Sequence, residues 1–385
     1  MKVIYYSHNF FTDADFPLIK ALRDHHIDVS YYVPLPLRFR QCVLFRLNKP
    51  ILRLGIVKAS EMPELQIYKD FIDLEKLYFI MGYHRFFPLY WIIWLRVLWM
   101  MKKEKADVVH ITWIFSNIYE RFLFKFRLGK MNVMTIHDPF SHSGLKKKNR
   151  EETQRLRTFK WADRFVILNN KFIDSFSDYY NIPHDNIYIS KLGPIDELKY
   201  ITPTPTSIEG DYILFFGFIS PYKGLEYLLE AMNVVKRQHP NLKVVIAGGG
   251  ALYFDASPYQ SEQFVWLHRF VGISELVSLL NKSKFVVCPY KDATQSGVVQ
   301  MAFTMGVPVL ASDVGALSET IENNVTGLFV PPCDPIALAE KICFLYSNEN
   351  ILNQMRGNIN TSWREKQNWD DIVNDYLKVY NSCVG

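Results

Sequence analysis

Lys284-Phe-Val-Val-Cys-Pro-Tyr290, followed by Gln295-Ser-Gly-Val-Val-Gln-Met-Ala-Phe-Thr-Met-Gly-Val-Pro-Val309 and Leu310-Ala-Ser-Asp313, decides the architecture of this 385-residue chain. The apolar runs Lys284–Cys288 and Pro308–Ser312 predict strands. The segment between them has the length and apolar spacing of a short helix, with small polar residues at its start. A strand, a small-residue turn and a helix N-terminus leave several backbone N–H groups unpaired and aimed at one point. That point suits a phosphate.

The same alternation of short apolar runs and longer amphipathic segments extends in both directions and predicts parallel α/β architecture. Upstream, strands are expected at Lys2–Ser7, Val29–Val33, Asp107–Thr112, Asn132–Ile136, Arg164–Leu168 and Ile187–Lys191. Tyr200-Ile-Thr-Pro-Thr-Pro-Thr-Ser-Ile-Glu-Gly-Asp211 then interrupts the pattern, because its prolines break helix and strand alike. Beyond it strands are expected at Tyr212–Phe216, Lys243–Ala247, Gln263–Leu267, Lys284–Cys288, Pro308–Ser312 and Gly327–Val330. The simplest account is two doubly wound, Rossmann-like parallel-sheet domains facing a cleft. They are expected at 1–200 and 212–365, with 201–211 as linker and 366–385 as a C-terminal helix.

Open parallel sheets bind ligands beyond the carboxyl ends of their strands. In the first half those positions are His8, His110 with Trp113, and His137-Asp138; in the second they are Gly217, Gly248-Gly249-Gly250, Tyr290 to Gly297, and Asp313 to Gly315. One edge carries polar rings and the other glycine turns, so a nucleotide belongs on the glycine side and a second substrate on the other.

Composition narrows the class. The chain is 49% hydrophobic and 22% charged, which is globular material able to bury two cores. The N-terminal apolar run is too short for a signal-peptide core, and no stretch approaches the roughly 20 apolar residues of a membrane span. Five scattered cysteines suit a reducing cytosol, with neither disulfide framework nor zinc site. Residues 1–200 hold 31 Lys/Arg against 21 Asp/Glu, while the remainder holds 13 against 18. A basic half joined to an acidic half points to an anionic surface or acceptor, or to no more than an uneven solvated surface. Residues 35–58 carry Arg38, Arg40, Arg46, Lys49, Arg53 and Lys58, and Lys146-Lys147-Lys148 adds a second basic cluster. The Trp-rich run 86–105 reads either as an interfacial helix or as a core helix, the latter preferred for its apolar face. The expected location is the cytoplasm, peripheral on the inner face of the membrane, with no nucleic acid as partner.

Leu214-Phe-Phe-Gly-Phe-Ile-Ser-Pro-Tyr-Lys-Gly-Leu-Glu-Tyr-Leu-Leu-Glu-Ala231 reads as strand, turn, helix. Gly217 lets a ligand approach the backbone where a Cβ would clash. Lys223 stands at the start of the following helix, where a cation opposes the dipole unless an anion meets it. The turn lacks the spacing of a Walker loop.

Residues 212–345 resemble the nucleotide-binding domain of family-4 glycosyltransferases, retaining enzymes of the GT-B fold. The matching pieces are Phe216-Gly217 through Lys223-Gly224, Val244-Val-Ile-Ala-Gly-Gly-Gly250, Gly306-Val-Pro-Val-Leu-Ala-Ser-Asp313, Gly315-Ala-Leu-Ser-Glu319 and Asn324-Val-Thr-Gly-Leu-Phe-Val-Pro-Pro-Cys-Asp-Pro335. The first half matches through Asp107-Val-Val-His110, Thr135-Ile-His-Asp138 and Ala162-Asp163, and Trp369-Asp370 resembles the family's returning C-terminal helix.

The resemblance implies transfer of a sugar from a UDP- or GDP-linked donor to a saccharide, free or lipid-linked, in surface polysaccharide assembly, with no cofactor and no metal. It implies that Lys223 contacts the donor diphosphate and that His137 reaches the donor sugar; these two are the expected catalytic residues. Gly217, Gly248, Gly249, Gln295, Ser296, Gly297 and Val298 are expected on the donor, and His8, His110 and Asp138 on the acceptor. Three departures are visible. Phe218 stands where the family has an Arg, and Ala293 and Met301 stand where it has two Glu, the second of which holds the ribose. Lys291 or Arg269 is expected to supply the missing charge, and Asp292, Thr294, Gln295, Ser296 or Gln300 the missing ribose contact. The competing expectation is a catalytically inactive, nucleotide-binding partner subunit; an epimerase on the same fold fits the motifs less well.

Overall fold

The computed structural model describes residues 1–35, 41–42, 44–47, 55–81, 89–115, 117–140 and 148–382. Most of the basic segment 35–58, the start of 86–105, and Lys146 and Lys147 lie outside the described residues. The chain divides into two compact units, one built from described residues up to 193 together with 368–382, the other from 194–367.

The first unit is built on eight strands, β1 (Lys2–Tyr6), β2 (Asp28–Leu35), β3 (Gly55–Lys58), β4 (Leu77–Met81), β5 (Ala106–Ile111), β6 (Gly129–Ile136), β7 (Arg164–Ile167) and β8 (Ile187–Ile189). Their order is β3-β4-β2-β1-β5-β6-β7-β8, parallel except for β3, which runs antiparallel on β4 at the edge. Strands buried on both faces need near-continuous apolar sequence, and Val3 to Tyr6 and Val108 to Ile111 supply it. The order reverses between β1 and β5, so the residues following those strands flank the sheet's switch point. All six strands expected here form, and β3 and β4 are additions.

Helix α1 (Thr12–Asp24) follows β1, and α2 (Leu89–Glu104) and α3 (Ile118–Leu123) flank β5. Tyr90, Ile93, Trp94, Val97, Leu98 and Met101 of α2 are buried in one cluster with residues of β1 and β5. The core-helix reading of this segment therefore holds for that face. The C-terminal helix Trp369–Asn381 packs on α1 and on β6, β7 and β8. A Cβ on Gly193 would sit 2.4 Å from the Trp369 ring, so the bare backbone of Gly193 admits the indole.

The second unit holds β9 (Tyr212–Phe216), β10 (Lys243–Ala247), β11 (Phe264–Leu267), β12 (Val286–Cys288), β13 (Val309–Ser312) and β14 (Gly327–Val330). Their order is β11-β10-β9-β12-β13-β14, all parallel, with the reversal between β9 and β12. Helix α4 (Leu225–Val235) buries Leu225, Leu228, Leu229, Met232 and Val235 against the sheet, and α5 (Gly297–Thr304) fills the β12–β13 crossover.

The division between units falls at 193/194, not at the proline-rich stretch 201–211. Prolines deny that stretch regular structure without freeing it. Thr204 N–H donates to the Ser274 carbonyl at 3.0 Å, and Ser278 Oγ donates to the Thr204 carbonyl. Upstream, Ile195 N–H donates to Thr304 Oγ1 at 2.9 Å, and Arg364 pairs with Asp196 at 2.7 Å.

Candidate functional site

Three turns gather at the β9/β12 reversal of the second unit. Gly217 follows β9 with φ of 104°, a conformation L side chains rarely adopt. Its N–H donates to the Ala247 carbonyl at 2.9 Å, and Ile219 N–H donates to the Gly249 carbonyl at 2.8 Å, locking the first glycine turn onto the second. A Cβ at Gly248 would lie 1.9 Å from the Gly217 carbonyl oxygen, so the two turns touch backbone to backbone. The third turn, after β12, is tied in by Lys291 N–H donating to the Tyr222 carbonyl at 2.7 Å.

Lys223 closes this cradle. A Cβ at Gly217 would lie 2.6 Å from Lys223 Nζ and 3.5 Å from a methyl of Val298. The ammonium therefore hangs over Gly217 beside the first turn of α5. Lys223 is 7% exposed and has no carboxylate partner among the described residues. Burial lowers its pKa to about 8. A buried cation without a counter-charge is costly and calls for an anion.

The start of α5 offers donors to the same spot. Ser296 is the N-cap, and its Oγ accepts from Val299 N–H at 3.3 Å. The N–H groups of Gly297 and Val298 have no acceptor among the described residues. A Cβ on Gly297 would meet nothing within 4 Å, so that side of the helix start is open. A buried ammonium beside two N–H groups at a helix start is the chemistry that can hold a phosphate.

The other expected cations are engaged within the unit. Arg269 forms a two-pronged pair with Glu275 at 2.8 and 2.6 Å, and Lys291 pairs with Glu226 at 2.5 Å. Phe218 is 68% exposed. Ala293 and Met301 are buried, and Ala293 also packs its carbonyl against Gly315. Gln300 is buried next to Met301, and its Oε1 finds no donor among the described residues.

At the β1/β5 reversal of the first unit, rings gather. His8 lies 4.7 Å from Phe10 and 4.8 Å from Trp113 between ring centroids, and Phe11 stacks on His137 at 4.0 Å and 10°. His137 lines two recesses of about 300 and 350 Å³, the first shared with Asp15 and Trp369, the second with Trp113 and Asp138. Burial lowers its pKa to about 4, with Asp138 opposing, so the imidazole is neutral at physiological pH. His8 is likewise held near 4 by burial. Asp138 uses its backbone carbonyl to receive Arg155.

Residues 210–348 match the family of glycosyl transferases group 1, and residues 61–192 match glycosyltransferase family 4. The chain belongs to the family-4 glycosyltransferases. It is 33% identical to an uncharacterised glycosyltransferase of Methanocaldococcus jannaschii over 45% of each chain. It is 27% identical to a D-rhamnosyltransferase of Pseudomonas aeruginosa over 68% of this chain and 70% of that one. Its fold is that of the Anabaena protein HepE, solved with UDP-glucose, at a TM-score of 0.65 and 13% identity over 99% of both chains. The fold is therefore GT-B.

One expected acceptor residue of this glycosyltransferase needs correction. His110 is fully buried, with Nδ1 2.6 Å from Tyr380 Oη and Nε2 2.7 Å from Thr135 Oγ1, so it knits the C-terminal helix to β5 and β6 and reaches no surface. Burial, and after it the neighbouring His137, lowers its pKa to about 3. Of the Phe10–Phe11–Trp113 cluster, only Trp113 was expected at the ligand edge. Its signal was aromatic residues just past two switch-point strands. Among the described residues, no three His, Cys, Asp or Glu side chains gather as metal ligands.

Proposed function

We propose that this glycosyltransferase takes a sugar from a UDP- or GDP-linked donor whose diphosphate binds between Lys223, Gly217 and the start of α5. The observation that carries the reading is Lys223, buried and unpartnered by any acid among the described residues, directly over Gly217. As the anomeric carbon–oxygen bond breaks, charge develops on the departing phosphate. Lys223 and the Gly297 and Val298 N–H groups neutralise it in place, without the reorganisation water would need. In the retaining course implied by the family, the acceptor hydroxyl attacks from the leaving-group face. Its proton passes to the departing phosphate oxygen, so no separate carboxylate base is required. His137, neutral, supplies a hydrogen bond to the sugar rather than a charge.

With Arg269 and Lys291 engaged by carboxylates, Lys223 is the single buried cation at the cradle among the described residues, and donor affinity leans on it more than on a Lys/Arg pair. Gln300 Oε1 is the acceptor we assign to the ribose in place of a carboxylate. The acceptor is a saccharide, free or lipid-linked, in surface polysaccharide assembly. The exposed ring of Phe10 beside Trp113 suits the apolar face of a pyranose. The test is transfer and donor hydrolysis over a panel of nucleotide sugars, wild type beside Lys223→Ala. Turnover of at least one donor that drops with Lys223→Ala supports the reading; equal activity in both proteins defeats it.

A further inference from the structure

Helix α2 is apolar on the wrong side as well as the right one. Opposite its buried face stand Ile92, Leu95 and Trp99, exposed by 62, 49 and 61%. Spaced three and four apart, they form one stripe along the helix. Isolated exposed apolar residues need no explanation, but a contiguous stripe does. It continues onto α3, where Trp91 of α2 meets Phe122 edge-on at 5.1 Å, Phe122 meets Phe126 at 5.2 Å, and Ile118 is half exposed.

The exposed charges of these two segments have one sign, and Arg127 among them reaches an acid, Asp163 at 3.8 Å. From 89 to 105 and from 118 to 127, the exposed ionisable residues are Arg96, Lys102, Lys103, Lys105, Arg121, Lys125 and Arg127. Glu104 is turned inward to receive Tyr32 Oη, and Glu120 is buried with Tyr6 Oη at 2.9 Å. Lys103 Nζ stands 5.2 Å from the Trp99 ring centroid and Lys102 Nζ 4.6 Å from that of Phe126. Each lysine lays its stem on an aromatic ring and carries its charge at the margin, the arrangement of an interfacial anchor. The Trp99 indole belongs at headgroup depth, with the lysines among lipid phosphates. No helix among the described residues is long and apolar enough to cross a bilayer.

We propose that the α2–α3 face docks the protein on an anionic lipid bilayer, with Ile92, Leu95 and Trp99 inserted and the ring of Lys and Arg on acidic headgroups. A protein partner of the same area would bring carboxylates to specific cations; a uniformly basic rim around an apolar stripe matches a surface that is anionic everywhere. The inference is independent of the donor reading, because docking is measured without a nucleotide sugar.

The test is flotation of the full chain with phosphatidylcholine vesicles, with and without phosphatidylglycerol. Binding is expected only to the anionic vesicles, weakening with added salt. Lys102→Glu with Lys103→Glu should lower affinity by about fivefold or more for each charge. Leu95→Ser with Trp99→Ser should lower it by about tenfold for each side chain withdrawn. All four positions are exposed, so the variants fold, and each should keep wild-type transfer to a water-soluble acceptor. Equal binding to both vesicle types, or variants that float like wild type, overturns the proposal. So does a dimer in sedimentation velocity that Leu95→Glu dissolves, which would make a second copy the occupant.

Discussion

Replacing Lys223 with Met separates a binding residue from a structural one by the sign of its effect. In the empty protein the ammonium is buried without a counter-charge, and its pKa falls from 10.5 to about 8. At about 1.4 kcal/mol per pH unit, keeping it charged costs the folded state on the order of 3 kcal/mol. Met has the same reach and no charge, so Lys223→Met should stabilise the empty protein by about 1–3 kcal/mol after packing losses. The unfolded chain binds more protons than the folded one between pH 8 and 10.5, so wild-type stability rises across that window. The gap is therefore full below pH 8 and closes toward pH 10.5. With a nucleoside diphosphate present that gap narrows or closes. Losing a charge-assisted contact of about 1.5–3 kcal/mol weakens binding about 10- to 100-fold. Urea denaturation at a series of pH values, with and without UDP or GDP, reads both effects. If Lys223→Met neither stabilises the empty protein nor loses nucleotide affinity, the argument from the unpaired cation is wrong.

Gly217→Ala places a methyl at φ of 104°, where it would meet the Lys223 ammonium. Nucleotide-induced stabilisation should disappear while the protein itself loses about 1–3 kcal/mol; retained nucleotide binding would move the phosphate elsewhere. Asp15 is buried, accepts from Tyr5 Oη at 3.0 Å and Tyr31 Oη at 2.7 Å, and has its pKa lifted to about 7 by burial. The folded state then holds a proton that the unfolded chain releases near pH 4, so stability falls between about pH 4 and 7. Asp15→Asn should match wild type at pH 4 and exceed it at pH 8 by a few kcal/mol, on the order of the lifted pKa; no gain at pH 8 in chemical denaturation refutes this. His137, held near pH 4, should leave no inflection in kcat/KM around a histidine's ordinary pKa of about 6.5. An acidic limb there that vanishes in His137→Ala would show the imidazole working as an acid or base.

The strand–helix alternation was legible because buried parallel strands must be nearly continuous apolar runs. The closeness of Gly217 and Lys223 was legible because both lie within one strand-to-helix turn. What escaped depended on distance. His110 lies inside β5, level with Val133 of β6, whereas His137 follows the end of β6, and Tyr380, 270 residues away, helps seal His110 in the core. Lys291 and Arg269 looked free because Glu226 and Glu275 lie in other elements. β3 escaped because an antiparallel edge strand need be only half-buried, and Gly55–Lys58 is; that reason does not cover β4, which lies largely buried between β3 and β2. The proline-rich stretch looked like a hinge because proline forbids regular structure, while the hydrogen bonds that strap it to Ser274 and Ser278 leave no local signature.

The central claim is that a nucleoside diphosphate binds at Lys223 and the start of α5. Calorimetric titration of the wild-type protein with UDP and with GDP, at pH 7 and again above pH 9, addresses it directly. The account predicts that one of the two binds at pH 7, that affinity falls as Lys223 loses its proton above about pH 8, and that the bare nucleoside binds far more weakly. Binding of neither diphosphate, or equal affinity for nucleoside and diphosphate at both pH values, would contradict it.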